Sequence, residues 1–288
     1  MTEVPSIQWF PGHMAKTKRM IKSSLPLVDA VVEIIDARIP VSSKNPDLQT
    51  LIDGKPRIVI LNKCDTADET SVQKWISWYN ARGITAIATD CRTGRGVNKF
   101  VPAIKTVLRD LIAKYESKGM KGRVIHVMVV GIPNVGKSSF INRLAKQKKA
   151  KVEDRPGVTL NKQWVKIDND VELLDMPGVL WPKFEDPIVG ERLAFTGAVK
   201  DDVVDVEALA SRLLLVLNEM YHEVLVSRYK IETQPEDEGY DILKKVGKSR
   251  GMLMSGGEIN TERAAITVLD EFRSGKLGRV TLELPEKN

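Results

Sequence analysis

Cysteine is almost absent: the 288 residues contain two, Cys64 and Cys91. That excludes a disulfide-framed scaffold and a cysteine-rich metal centre, and the pair reads as small packing residues in a reducing compartment. No apolar run is long enough to span a bilayer, and Met1-Thr2-Glu3-Val4-Pro5 carries no apolar signal core. The expectation is a cytoplasmic protein with no membrane partner. Histidine numbers only three. His126 falls in a strand pattern and His222 on a helix away from any motif, so both read as structural, which leaves His13. There is no internal repeat and no low-complexity tract.

What the chain does have is enough apolar material, 42%, to bury a full core in one large domain and a smaller one. The boundary is expected near 180, giving domains 1–180 and 181–288. The net charge is +6, and the basic residues cluster: Lys16, Lys18, Arg19 and Lys22; Lys146, Lys148, Lys149 and Lys151; Lys244, Lys245, Lys248 and Arg250. One such cluster reads as a solvated face. Three together suit nucleic-acid phosphates.

In the first half, short apolar runs alternate with helical stretches, predicting an α/β fold with a mostly parallel sheet. The runs are Val31 to Ile35, Arg57 to Leu61, Ile84 to Ala88 and Val124 to Val130. Two more strands are expected near Gln163 to Ile167 and Val171 to Leu174. Beyond Trp181 the pattern turns helical. Leu209, Leu213, Val216, Met220 and Val224 share one helical face, and Asn260 reads as a cap for a helix running toward Phe272. A small all-helical C-terminal domain follows from this.

The Val124 to Val130 run leads into Gly131-Ile132-Pro133-Asn134-Val135-Gly136-Lys137-Ser138, a phosphate-binding loop in its required strand–loop–helix context. Its backbone N–H groups and the following helix N-terminus would cradle phosphates, with Val135, Gly136 and Ser139 among the contacts. Lys137 would neutralise the β- and γ-phosphates, and Ser138 would ligate Mg²⁺. Asp175-Met176-Pro177-Gly178 follows a second strand, so Asp175 would hold the same metal and the Gly178 N–H would sense the γ-phosphate. Between them Thr159 could reach Mg²⁺ with its hydroxyl and the γ-phosphate with its backbone.

Asn62-Lys63-Cys64-Asp65 supplies the base. The Asp65 carboxylate can accept both N–H donors of guanine, and adenine would leave that charge unpaired. Asn62 would support the loop, and the stem of Lys63 would cover the ring. After the next strand, Asp90-Cys91-Arg92-Thr93-Gly94 could offer a backbone N–H to the guanine carbonyl. Read alone, it is a turn.

The guanine tetrad comes before the phosphate loop. With this order the five elements resemble the circularly permuted translation-factor-class GTPases. The segments Gln8 to Met14, Asp36 to Pro40, Leu180 to Phe184 and Met254 to Gly257 extend the likeness to bacterial ribosome-biogenesis GTPases over nearly the whole chain. The resemblance implies a GTP-hydrolysing cytoplasmic factor acting on a late precursor of the large ribosomal subunit, touching rRNA and ribosomal proteins. No DNA partner is expected. It also implies an RNA-binding helical domain and a nucleotide state coupled to rRNA binding.

Many GTPases carry a water-orienting glutamine after Asp-x-x-Gly, where this chain has Val179, which cannot hydrogen-bond water through its side chain. Read alone, His13 is a surface or capping histidine. The resemblance implies that it positions the attacking water. In related enzymes without the glutamine, an asparagine at the place of Asn134 helps to hold K⁺ against the phosphates. A loop asparagine also simply tolerates positive φ.

Overall fold

The computed structural model describes residues 13–52, 54–147, 163–181 and 184–286. They divide into two compact units, one holding 13–181 together with 283–286 and the other 184–282.

The first unit is built on a six-stranded sheet: β1 (Ala30–Asp36), β2 (Arg57–Asn62), β3 (Thr85–Thr89), β4 (Ile125–Val130), β5 (Gln163–Asp168) and β6 (Val171–Asp175), in the order β3-β2-β1-β4-β6-β5. Every pairing is parallel except β5 with β6. The near-continuous apolar runs follow from this topology, because a parallel sheet covered on both faces buries every residue. All seven positions of β1 are buried. The helices are α1 (His13–Ser24), α2 (Pro46–Leu51), α3 (Glu69–Asn80), α4 (Phe100–Val107), α5 (Arg109–Ser117) and α6 (Lys137–Gln147). Asp68 starts α3 by accepting from the Ser71 N–H at 2.7 Å, a cap worth about 1 kcal/mol. The helix then packs Val72, Trp75 and Tyr79 against Val59 and Leu61 of β2.

The second unit is helical: α7 (Pro187–Phe195), α8 (Val206–Met220), α9 (His222–Tyr229), α10 (Gly239–Ser249) and α11 (Thr261–Ser274). Asn260 caps α11 through the Arg263 N–H at 2.8 Å, the role its sequence position predicts. The apolar face expected to run from Leu209 to Val224 is interrupted. Tyr221, at φ −141° and ψ 45°, ends one helix and precedes the next. The buried face of α8 is therefore Leu209, Ala210, Leu213, Leu214 and Leu217, while Met220 is exposed.

Candidate functional site

Because β1, β2, β3, β4 and β6 run parallel, their carboxyl ends share one edge of the sheet, where α/β proteins bind ligands. Asp36, Asn62, Thr89, Val130 and Asp175 are the last residues of these five strands. The register sets Asn62 between Asp36 and Thr89, and Asp175 beside Val129. Motifs scattered along the sequence are thereby gathered on one rim.

Asn62 joins three of them. Its Nδ2 donates to the Val135 carbonyl at 2.7 Å, and its Oδ1 accepts from the Thr89 hydroxyl and the Cys91 thiol, each at 3.1 Å. Gly136, at φ 96°, lies so near that a Cβ there would stand 2.3 Å from the Asn62 amide nitrogen. No side chain fits. Lys63 and Asn134 adopt φ of 61° and 60°; asparagine tolerates this left-handed region, whereas lysine holds it where the surrounding structure imposes it.

The Lys63 ammonium pairs with Asp36 at 3.0 Å. Asp65, largely buried, meets Arg92 Nη2 at 3.4 Å, and that arginine is 77% exposed. The Asp90 carboxylate is committed to its own turn. It accepts from the N–H groups of Arg92 (2.8 Å) and Thr93 (3.3 Å) and from the Thr93 hydroxyl (2.5 Å). Burial opposes its ionisation, but these donors outweigh burial and hold the carboxyl below its usual range. Burial pushes the Cys91 thiol up to about 12 and raises Cys64 as well, so both stay neutral and unreactive. Cys91 thus serves as a donor to Asn62, and Cys64 packs with its thiol beside Arg95 at 3.2 Å.

On the phosphate side, Lys137 is buried and donates to the carbonyls of Gly131 (3.1 Å) and Ile132 (2.8 Å). Burial lowers its pKa to about 8, with the Asp175 charge pulling the other way. Asn134, Ser138 and Ser139 are exposed at the loop surface. The donor set fits a hard divalent cation: the Ser138 hydroxyl and the Asp175 carboxylate are oxygen ligands of the kind Mg²⁺ prefers. Gly178 lies against the loop, where a Cβ would stand 2.8 Å from the Pro133 nitrogen and 2.9 Å from Lys137 Nζ.

Val179 is wholly buried. Its N–H reaches the Gly131 carbonyl at 3.3 Å and its carbonyl accepts from Asn45 Nδ2 at 2.9 Å. Its side chain therefore belongs to the core, and its backbone ties the Asp-x-x-Gly segment to the phosphate loop. Thr159 and the segment Gln8 to Gly12 lie outside the described residues. His13 opens α1, and its side chain lies outside the described residues too.

Three contributors escape a reading of motifs alone. Asp36 holds Lys63, Asn45 holds Val179, and the Glu283 carboxylate accepts from the N–H groups of Val41 (2.5 Å) and Ser42 (3.0 Å). Only Asp36 carries a sequence signal, an acid closing an apolar strand.

The model of the 50S ribosome-binding GTPase family matches residues 126–250. Ribosome biogenesis GTPase A of Bacillus cereus is 46% identical over 98% of this chain and 95% of its own length, and that of Bacillus licheniformis 47% over 97% and 99%. The mitochondrial ribosome-associated GTPase 1 of Mus musculus is 36% identical over 96% of this chain and 90% of its own. Among solved structures, a GDP-bound YlqF superposes with a TM-score of 0.65 at 28% identity, covering 93% of this chain and 100% of that one. The GNP-bound YlqF from T. maritima gives 0.63 at 28% identity, covering 95% and 100%.

Proposed function

The chain belongs to the ribosome biogenesis GTPase A family, and from that premise we propose that it hydrolyses GTP while bound to a late precursor of the large ribosomal subunit. GTPase activity, GTP and GDP as substrate and product, and a part in ribosome assembly come with the family. The step on the precursor, contact with rRNA and coupling between RNA and nucleotide are our reading.

The observation that carries it is the Asn62 to Val135 bond, which makes one site of a base-reading loop and a phosphate-binding loop. Lys137 and the backbone of the loop hold the phosphates, and Ser138 and Asp175 would hold Mg²⁺ with Thr159. Asn62, Lys63 and Asp65 select guanine, assisted by the backbone of the Asp90 and Cys91 turn, and Gly178 senses the γ-phosphate. When bound, Mg²⁺ would supply positive charge to the phosphates. Because Val179 turns into the core, the attacking water must be oriented by another group. We assign that role to His13, and Asn134 is the residue that would hold K⁺. Hydrolysis is then slow in the free protein and accelerated on the particle.

Among the described residues no helix is long and apolar enough to cross a membrane, and the proposed place of action is the cytoplasm. Contact with RNA is supported by α1, which has no acidic residue and exposes Lys16, Arg19 and Lys22 along one side. The α10 cluster contributes less free charge. Lys244 pairs with Asp241 (2.6 Å), Lys245 with Asp237 (2.5 Å) and Arg250 with Glu271 (3.6 Å).

The test is a change of base preference together with single-turnover kinetics. Asp65→Asn should lose GDP and gain xanthosine diphosphate, whose 2-oxo group accepts where guanine donates. Purified precursor particle should raise the wild-type hydrolysis rate at least tenfold. A particle that leaves the rate unchanged removes the proposed site of action and leaves the GTPase itself standing.

A further inference from the structure

Asp36 is almost completely buried, yet it is the meeting point of two cations. Its Oδ1 accepts from the Arg38 N–H at 3.0 Å and Arg38 Nε at 2.9 Å, and its Oδ2 accepts from Arg38 Nη2 at 2.8 Å. The Lys63 ammonium completes the shell 3.0 Å from Oδ2. Burial alone would neutralise this carboxyl, but the charges of Arg38 and then Lys63 outweigh burial and hold it far below the carboxylate range.

The Arg38 pair is local, made within one turn after β1. The Lys63 contact instead joins neighbouring strands. Asp36 and Asn62 are register partners, and the Ala37 N–H donates to the Asn62 carbonyl at 2.9 Å, so the acid stands beside the first residue of the base-reading loop. Lys63 has a second anion within electrostatic range, Asp65. The two carboxylates compete for one ammonium. If Asp65 wins, a cation sits on the oxygens that guanine's N–H groups need, and the stem of Lys63 leaves the place where it would cover the ring.

Resting on the guanine-reading assignment made above, we propose that Asp36 is a positioning residue for base recognition. It holds the Lys63 ammonium on the β1 side, which keeps the lysine stem extended and this cation off the Asp65 carboxylate, so that the exposed Arg92 is the ion pair guanine has to displace. Arg38 keeps Asp36 ionised in its buried place.

The experiment is a double-mutant cycle on the full chain, with affinities measured for GDP and for inosine diphosphate, which lacks the 2-amino donor. Asp36→Asn should weaken GDP at least tenfold and shrink the ratio between the two affinities, because a quenched Asp65 no longer rewards the second N–H. Lys63→Met sets its own baseline. In that background Asp36→Asn should change GDP affinity less than twofold, since the competing cation is gone. Additive losses, or an unchanged inosine-to-guanine ratio in Asp36→Asn, overturn the proposal.

Asp36→Asn leaves Arg38 without its partner charge and can fail to fold, so a second measurement uses the wild-type site. With ¹⁵N-labelled lysine, the GDP complex should show a slowly exchanging Lys63 ammonium signal, identified by its loss in Lys63→Met. No such signal also overturns the proposal. Wild-type protein that binds inosine and guanine diphosphates equally would instead strike the assignment of Asp65, a different failure with a different readout.

Discussion

Asn62 donates its side-chain amide to the backbone carbonyl of Val135 at 2.7 Å, across a sequence separation of 73 residues. The carbonyl belongs to the phosphate loop and the amide to the guanine tetrad. One hydrogen bond therefore ties together the two loops to which the proposed site assigns the base and the phosphates.

Removing that bond should cost both folding and binding. Asn62→Ala leaves the Val135 carbonyl, the Thr89 hydroxyl and the Cys91 thiol without their shared partner, about 1–3 kcal/mol for each buried group left unsatisfied. GDP affinity is expected to fall between about tenfold and a hundredfold, measured by displacement of a fluorescent GDP analogue. Cys91→Ala removes only one weak donor and should lose less than threefold. Equal losses in the two variants would mean that Asn62 does not act as the hub.

How much of this was readable beforehand differs by residue. Asn62, Lys63 and Asp65 stand at the end of β2, and the phosphate loop stands between β4 and α6, as strand-ending apolar runs predict. Asn260 caps α11 for the same local reason. The partners were not readable, because they depend on register and on the return of the tail. Nothing near Asp36 in the sequence names Lys63 as its counter-ion, and nothing near Glu283 announces Val41 and Ser42. The substitution at Val179 reads as a missing glutamine, whereas the structure puts the side chain in the core and gives the backbone the contacts. Charge clusters mislead in a similar way. The lysines of α10 look free in a linear reading and are mostly paired in space.

Lys137 gives a pH signature. Burial holds its ammonium down to about 8 in the nucleotide-free protein, and bound phosphates favour the charged form. Below that pH the lysine is already protonated and binding takes up no proton. Above it, each nucleotide bound must bring one, so GDP affinity should fall by about tenfold per pH unit. Calorimetry in buffers of different ionisation enthalpy should show proton uptake near one per site at pH about 9.5 and almost none at about 6.5. Uptake that does not vary with pH would exclude Lys137 as its source.

Glu33 gives the opposite kind of test, on stability. It lies in the middle of β1, and burial raises its carboxyl above 4.5, against the pull of Lys44, Arg57 and Gln49. Ionising it costs the folded state, so the stability present below pH 4.5 is lost as pH rises through the raised value. Glu33→Gln can still accept from Gln49, which now donates at 2.5 Å, and never ionises. Its melting temperature should match wild type at acid pH and exceed it at pH about 8, where the wild-type carboxyl bears the desolvation cost. A variant less stable than wild type at the higher pH would show that the attraction of Arg57, 3.9 Å away, exceeds the cost of burial.

The exposed side of α1 offers a quantitative check on the proposed RNA contact. Lys18 is occupied by Asp47 at 2.6 Å, while among the described residues Lys16, Arg19 and Lys22 make no ion pair. Spaced three residues apart, these three lie along one side of the helix. Each phosphate neutralised releases counterions and adds about 0.7–0.9 to the slope of log affinity against log salt. Replacing all three with alanine should therefore lower the slope for precursor particles, or for a large-subunit rRNA fragment, by about 2–3. Alanine at Lys244 and Lys245, already paired with acids, should lower it by less than about 1. The helix keeps its buried Ile21 and Thr17 in the triple variant, so its melting temperature should hold within a few degrees and separate a binding loss from an unfolding one. A slope unchanged by the triple substitution would move the RNA contact to another face of the protein, because charge loss on a face that touches phosphate must appear in the salt dependence.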